Sequence, residues 1–433
     1  MVDDPMTDDL RAVLKNAAGY APPPDNELLA RVETRYRGRR RRRMAGTAAT
    51  VAVVVGATGV LGAALRPGGD DAPRPASKPT AGPLKPATPG PVVELEKTAP
   101  QAFRKLPAKL PNGRGFHPVQ MLDDRTVLGT TWSSFELTDR IWTYDLTTGR
   151  ARLVTTLTIP RGPKWYANSI TAGDGQVAWT MNRSNGGAEF EPTFDRIELW
   201  TAPLAGGAPR KVTSIAVAQS PLQGDTTSAE LAVSGGEANW ATPAGVLTVP
   251  LTGGTPRLLP GTKGYQILSW PWIGTPGRGR TGPKLGEVLY KDLRNVRTGE
   301  RRTATTAKVK GAWSCGLVWC LGGPASGVTY QGTPGLMVQR RDGKEGRTLP
   351  AGRGVGPLPG VTFLDRYILY RPSRDRSRNH LLYDLRTGRL LDTGMRDPGS
   401  GPVPGLLASP GSGILSLPGE DGARTLLDLS KVG

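Results

Sequence analysis

The 433-residue sequence predicts an all-β fold, a β-propeller, preceded by an N-terminal transmembrane helix and short cytoplasmic helices. Two observations predict the propeller. A strand-and-turn unit recurs every 42 to 58 residues along most of the chain, and glycine and proline are abundant, at 58 and 40 residues. A third observation predicts the membrane helix, because five consecutive arginines precede 22 residues without a charge.

Residues 1–43 are predicted to form two short cytoplasmic helices. Thr7 is suited to cap the first, and apolar side chains follow it at helical spacing from Leu10 to Ala17. Three prolines at 22–24 end that helix, and a second runs from Asp25 towards the arginine run. Each apolar stripe is too small to fold alone, so the segment is expected to pack on a partner, to lie on the membrane or to serve as a tether.

Residues 44–65 are predicted to cross the membrane once. Positive charge flanking a span stays on the cytoplasmic side, which places the N-terminus inside the cell and residues 66–433 outside. Because the span is rich in alanine and glycine, a cleaved signal peptide is the alternative interpretation. The basic run that fixes the orientation consists of Arg39, Arg40, Arg41, Arg42 and Arg43.

Residues 66–92 are predicted to be an extracytoplasmic linker. Eight prolines lie between Pro67 and Pro91, and such a chain favours extended polyproline geometry. The linker is expected to hold the next domain, residues 93–433, away from the membrane.

Residues 93–433 are predicted to form the propeller from repeated units. Each unit contains strands and a turn that resembles Leu-x-Thr-Gly or Leu-x-Gly-Gly, followed by a basic strand. A unit of 40 to 50 residues with about four strands is typical of a propeller blade. The copies of the turn lie at 144–149, 203–207, 250–254, 296–299, 342–346 and 383–388, with a partial copy at 427–430.

We count seven blades, and six is the alternative. The last unit lacks a fourth strand, which we expect residues 102–110 to supply, closing the ring. Aromatic residues recur in the second strand of most units and are expected to pack between blades rather than to bind a ligand. They are Trp132, Trp179, Trp240, Trp270, Trp319 and Tyr370.

Cys315 and Cys320 are the only cysteines and are expected to form a disulfide, because the topology places them outside the cell. No catalytic, metal or cofactor residue is predicted. The chain has two histidines, His117 and His380, and it lacks a Gly-x-Ser-x-Gly elbow, a Walker loop and an EF-hand loop. We therefore expect a protein that is not an enzyme and has no cofactor.

The charge of the chain predicts the kind of partner. Of the net charge of +19, about +15 lies in residues 99–433. An exported basic domain is attracted to anionic lipid head groups or acidic wall polymers, and its predicted location excludes nucleic acid. Residues 182–194 are predicted to be an inserted loop that binds a partner through Glu189 and Glu191.

The propeller resembles the TolB-like and WD-repeat-like ectodomains of actinobacteria, through the turns Tyr144–Gly149 and Tyr383–Gly388 and the pair Trp319–Cys320. The N-terminal order of helical segment, basic run, span and exported domain resembles membrane proteins encoded beside extracytoplasmic-function sigma factors. The resemblance implies a sigma factor as a cytoplasmic partner of residues 1–43. No complete zinc-type anti-sigma motif is present, since neither histidine lies in this segment.

The leading hypothesis is a single-pass membrane protein whose extracytoplasmic propeller binds or senses a protein or an anionic envelope ligand without catalysis. The first alternative is an anti-sigma-like regulator that acts through the cytoplasmic helices. The second is an exported hydrolase of the lactonase or glycosidase type, in which loop carboxylates would carry the chemistry.

Overall fold

The computed structural model describes residues 81–433, apart from 89, 135–136, 160–164, 189–190, 217–230, 243, 277–285, 310, 324–335, 350–354, 373–378, 397–406, 410–412 and 419–422. The chain divides into two units, Met1–Pro75 and Ala76–Gly433, and every described residue belongs to the second. The predicted cytoplasmic helices, the run Arg39–Arg43 and the predicted span lie outside the described residues. Within the described part of the chain, no helix has the length and apolar character needed to cross a bilayer.

The described chain begins with short elements that run along the outside of the propeller. Two strands of two residues each precede a single helical turn, a 3₁₀ turn and a longer strand. These elements are β1 (Lys85–Pro86), β2 (Val93–Glu94), α1 (Leu95–Thr98), the 3₁₀ turn Pro100–Ala102 and β3 (Phe103–Leu106).

Sheets 1 and 2 each contain four consecutive antiparallel strands. Alternation of apolar and polar residues and β-branched side chains favour the extended backbone here. Sheet 1 contains β4 (His117–Met121), β5 (Thr126–Ser134), β6 (Leu137–Asp145) and β7 (Ala151–Thr156). Sheet 2 contains β8 (Trp165–Gly173), β9 (Gln176–Ala188), β10 (Glu191–Pro203) and β11 (Arg210–Ala216).

Sheets 3 and 4 repeat this order with shorter strands. Sheet 3 contains β12 (Leu231–Ser234), β13 (Glu237–Thr242), β14 (Gly245–Pro250) and β15 (Arg257–Leu258). Sheet 4 contains β16 (Gln266–Ser269), β17 (Trp272–Thr275), β19 (Asp292–Asn295) and β20 (Arg301–Thr303). Between β17 and β19, β18 (Val288–Leu289) leaves sheet 4 and pairs in parallel with the first strand of sheet 5.

Sheets 5 and 6 each gain an outer strand from the N-terminal segment. Sheet 5 contains β21 (Ala312–Cys315), β22 (Trp319–Gly323), β23 (Met337–Arg340) and β24 (Arg347–Thr348), and β1 pairs in parallel with β24. Sheet 6 contains β25 (Val355–Phe363), β26 (Tyr367–Pro372), β27 (Leu381–Asp384) and β28 (Leu390–Asp392), and β2 pairs in parallel with β28.

Sheet 7 closes the ring. It contains β29 (Leu407–Ser409), β30 (Ile414–Pro418) and β31 (Arg424–Asp428), and β3 is its fourth strand, antiparallel to β31. A short 3₁₀ turn, Leu429–Lys431, follows. The prediction that the start of the chain supplies the missing strand is therefore confirmed, with Phe103 paired to Leu427.

The described strands form seven sheets, one for each of the seven sequence repeats. Buried apolar clusters lie between neighbouring sheets. Ile141 of sheet 1 packs with Val177 of sheet 2, and Trp142 of sheet 1 packs with Ile414 of sheet 7. Since no sheet buries both its faces alone, this side-by-side packing makes the core a ring of inter-sheet layers. The prediction of an all-β propeller is confirmed.

The structure changes two expectations about organisation. Residues 81–92 were predicted to be free linker, but backbone bonds from Gly82 to Gly343 and from Ala87 to Thr348 attach this segment to sheet 5. The folded unit therefore begins before Val93. Residues 182–194 were predicted to be a loop, but strands β9 and β10 remain paired as far as Ala188 and Glu191, so this insertion is a long hairpin.

Candidate functional site

The repeated turn lies between the third and fourth strands of sheets 1 to 6, and in sheets 1, 4 and 6 an aspartate or asparagine caps its backbone. The Asp145 carboxylate accepts bonds from the N–H groups of Thr148 and Thr147 at 2.9 and 2.8 Å, which lower its pKa. Gly149 then takes a positive φ of 68° and donates to the Asp145 carbonyl at 2.9 Å. Asn295 replaces the aspartate in sheet 4 and makes equivalent bonds. In sheets 1, 4 and 6 the repeat is thus an Asx turn closed by glycine, whereas sheets 2 and 3 have Pro203 and Pro250 in place of the capping residue.

The basic residue after the turn joins neighbouring sheets at two junctions. Arg152 of β7 donates to the Leu204 carbonyl at 3.0 Å, in the turn of sheet 2. Arg210 of β11 donates to the carbonyls of Thr252, at 3.0 Å, and Leu251, in the turn of sheet 3. A guanidinium placed against turn carbonyls satisfies acceptors that the sheets leave unpaired. Part of the arginine content therefore has a structural role.

The outer surface of the propeller is basic. The fourth strands lie along its outer side, with β1 and β2 beyond them in sheets 5 and 6, and in the described residues the fourth strands carry nine cations and one carboxylate, that of Asp392. Some cations pair with acids on inner strands, as Lys211 does with Glu198 at 3.3 Å and Arg257 with Glu237 at 3.1 Å. The nine are Arg104, Lys105, Arg152, Arg210, Lys211, Arg257, Arg301, Arg302 and Arg347.

A groove of about 700 Å³ lies on this outer surface, where the N-terminal segment passes from sheet 5 to sheet 6. We call residues 82–93 the strap. The strap forms one wall, and Arg347 of β24 and the turn between β27 and β28 form the other. The lining residues are Ala87, Thr88, Gly90, Pro91 and Val93 of the strap, with Arg347, Tyr383, Thr387, Gly388 and Arg389 opposite.

The groove contains two guanidinium groups, and no carboxylate is among its lining residues. The Arg347 side chain lies 5.7 Å from the Trp319 ring centre and donates to Glu345 at 3.2 Å. Glu345 is about half exposed, so this pair is weak. Arg389 is exposed, and no described carboxylate pairs with it. The groove is therefore suited to an anionic group.

Neither arginine of this groove was predicted as a site residue. The sequence indicates the turn Tyr383–Gly388 only as a repeat, and the composition of the strap that forms the opposite wall is typical of a linker. A sequence signal existed, because Arg347 lies in the basic strand that follows its turn and Arg389 directly follows the turn glycine Gly388. The pairing of the strap with two sheet edges had no comparable signal.

Cys315 and Cys320 form a disulfide across the hairpin between β21 and β22, as the sequence led us to expect. The carboxylate of Asp365, in the neighbouring sheet 6, accepts bonds from the N–H groups of Val318 and Trp319 in this hairpin. Buried Arg341 donates to the Gly316 carbonyl at 2.9 Å. Burial raises the pKa of Asp365 to about 6 and lowers that of Arg341 to about 10. The disulfide hairpin thus anchors sheet 5 to sheet 6.

The two histidines lie in different sheets. His117 begins β4 and stacks on Trp132 with ring centres 3.9 Å apart. Burial, reinforced by the charge of Arg424, lowers the pKa of His117 to about 4, so its imidazole is neutral at pH 7. His380 precedes β27 and is 1% exposed. The structure does not bring them together into one site.

Three of the six recurring aromatic residues are buried between sheets, as predicted. Trp179, Trp240 and Trp319 are at most 5% exposed and belong to three different inter-sheet clusters. Trp270 lies in the turn before β17 rather than in a strand.

Of the two predicted partner-binding residues, Glu191 begins β10 of the long hairpin, whereas Glu189 lies outside the described residues. Further along the same two strands, Arg183 and Asp195 join β9 to β10 through bonds of 2.7 and 2.6 Å. Among the described residues, no group of three or more histidine, cysteine or acidic side chains is placed to hold a metal ion.

The fold is similar to several solved propellers. An oligogalacturonate lyase from Vibrio parahaemolyticus is 10% identical, with a TM-score of 0.36 over 72% of this chain and 77% of the other. The Neurospora crassa Pan2 WD40 domain is 11% identical, with a TM-score of 0.36 over 73% and 89%. TolB from Acinetobacter baumannii is 13% identical, with a TM-score of 0.31 over 53% of each chain. No protein-family model and no curated protein matches the sequence.

Proposed function

We propose that this propeller is a non-catalytic binding module that takes an anionic polymer of the cell envelope on its outer surface. The observation that supports the proposal is the ratio of nine cations to one carboxylate on the described fourth strands. Such a surface attracts polyanions over about a Debye length, and the attraction falls as salt rises. A rigid ring presents these charges without a folding cost on binding.

The proposal includes the location that the N-terminal sequence predicts. Residues 44–65 anchor the protein, residues 1–43 remain in the cytoplasm, and the propeller stands outside. The disulfide of Cys315 and Cys320 supports an oxidising compartment. Protease added to intact cells should degrade the propeller and spare an N-terminal tag, and a protected propeller would refute this topology.

The binding proposal is tested with the full-length protein and a poly(glycerol phosphate) oligomer, with neutral dextran as the reference polymer. Substituting Lys105→Gln together with Arg301→Gln removes two outer-strand charges and should weaken binding about tenfold at low salt. The matched control is Arg125→Gln with Lys263→Gln, two exposed cations outside the fourth strands. It should change the affinity less than twofold.

Three results would contradict the proposal. Equal losses in both double variants would mean that net charge, rather than the outer strands, governs binding. Equal affinity for dextran and the phosphate polymer would remove the role of charge. Shortening of the polymer during incubation, measured by size-exclusion chromatography, would show an enzyme instead of a binding module.

A further inference from the structure

The arginine at the junction of sheets 5 and 6 differs from its counterparts elsewhere. A Cβ added to Gly206, Gly253 or Gly388 would lie 3.7 Å from a guanidinium nitrogen of Arg152, Arg210 or Arg347 respectively. The three arginines therefore occupy corresponding places. The first two donate to carbonyls of the neighbouring turn, whereas Arg347 donates to half-exposed Glu345 and lines the groove.

The strap opposite Arg347 is held by few bonds. Gly82 and Lys85 donate to Gly343 and Gly346 at 3.0 Å, and Ala87 donates to Thr348 at 2.8 Å. Further along, β2 contributes one two-residue pairing with β28. Prolines without an N–H interrupt the segment, which prevents a continuous ladder.

Side-chain burial also leaves the strap weakly attached. Among its described residues only Leu84, Ala87 and Val93 are even partly covered. Full burial begins after the strap, at Leu95, which is 1% exposed in the cluster between sheets 6 and 7. The strap can therefore detach while the chain from Leu95 onwards stays in place.

We infer that the groove is a binding site for a compact anionic ligand, and that its occupancy holds the strap on the propeller. An anionic group fits between Arg347 and Arg389, where the hydroxyl group of Thr88 can also donate to the ligand. Ala87, Pro91 and Val93 give the opposite wall an apolar surface for the body of the ligand.

The effect on the strap follows from linkage. A ligand that contacts both walls binds the docked strap more tightly than the detached one, so it shifts the equilibrium towards docking. Detachment would free about 12 residues, or roughly 40 Å of extended chain, between the propeller and the N-terminal segment. This inference rests on the proposed anionic ligand and adds a specific site and a mechanical consequence.

The experiment measures hydrogen exchange of the Lys85 and Ala87 amides in the full-length protein, with inorganic pyrophosphate or citrate as the probe. A probe at ten times its Kd should slow exchange of both amides about tenfold. Comparing the two probes distinguishes a phosphate from a carboxylate preference. Arg389→Gln should lower the affinity for the preferred probe at least fivefold and remove the slowing.

A second variant changes the strap without touching either arginine. In Gly346→Ala, the new Cβ would lie 2.9 Å from Leu84 and 3.3 Å from the Pro83 carbonyl, which pushes the strap outwards. Exchange at Lys85 should become faster and the probe should bind more weakly. Gly323→Ala in the same sheet is the control, because its nearest contact would be an ordinary 3.7 Å.

The outcomes separate this inference from the proposed function. Exchange that is unchanged by a saturating probe, full affinity in Arg389→Gln, or full affinity in Gly346→Ala with a loosened strap would each overturn it. If the small anions fail to bind while the phosphate polymer still binds through the outer strands, the groove is not a site and the proposed function stands.

Discussion

Removing the Arg210 side chain should loosen the junction between sheets 2 and 3. In Arg210→Ala, the carbonyls of Leu251 and Thr252 each lose a charged donor. Such bonds contribute about 1.5–3 kcal/mol when well shielded, and the exposure of Arg210 reduces the expected total to about 1–2 kcal/mol. A folded unit of roughly 350 residues has an unfolding entropy near 0.7 kcal/mol/K, so the Tm should fall by about 2 °C.

The assay is thermal unfolding of the full-length protein followed by tryptophan fluorescence, with Arg301→Ala as the matched control. Arg301 lies on the corresponding outer strand of sheet 4, and no described bond joins it to a neighbouring turn. Its removal should change the Tm by less than 1 °C. Arg152→Ala, which loses a single bond at 3.0 Å, should lie between the two. Equal Tm values for Arg210→Ala and Arg301→Ala would refute the structural role of these arginines.

Two further predictions concern the hairpin that carries the disulfide. The pKa of Asp365 is raised by burial to about 6, so its ionised form is disfavoured in the folded state, and stability should fall as pH rises from about 4 to 6. The guanidinium groups of Arg341 and Arg302 face this carboxyl, and Arg341, with a pKa of about 10, remains charged over that range. Asp365→Asn should flatten this part of the Tm–pH curve, and an unchanged slope would contradict the assignment. Gly316→Ala would place a Cβ 2.4 Å from the Asp365 carboxylate, so it should lower the Tm by several degrees, whereas Gly115→Ala, with no contact below 3.8 Å, should not.

The propeller was predictable because its signal repeats. In sheets 1, 4 and 6 the turn contains a residue that caps the backbone and a glycine with positive φ, as Asp145 and Gly149 show, and a glycine with positive φ also recurs in the turns of sheets 2 and 3. Closure by β3 was also predictable, since a last unit with three strands leaves an open edge that needs a partner. In both cases, the residues that the local backbone favours are also the ones that the closed ring of sheets requires.

The groove was not predictable, because the strap that forms one of its walls has no repeating sequence pattern. Two-residue strands such as β1 and β2 show no alternation of side chains, and the prolines of the strap favour a free linker as strongly as a strand on a sheet edge.

The hairpin of sheet 2 differs from the predicted loop because its composition also favours irregular structure. Gly186 and Gly187 are typical of a loop, yet the backbone pairing of β9 with β10 continues through both.

The arginine content has two distinct consequences in this fold. At the junctions of sheets 1, 2 and 3, guanidinium groups bind turn carbonyls, so their charge contributes to cohesion of the ring. At the junction of sheets 5 and 6, the corresponding Arg347 lines a groove that the strap covers. Since Arg152, Arg210 and Arg347 occupy corresponding places, the copy that the next turn does not bind is available for a ligand. The strap adds the opposite wall at this junction, which is why we place a specific anion site there rather than elsewhere on the basic surface.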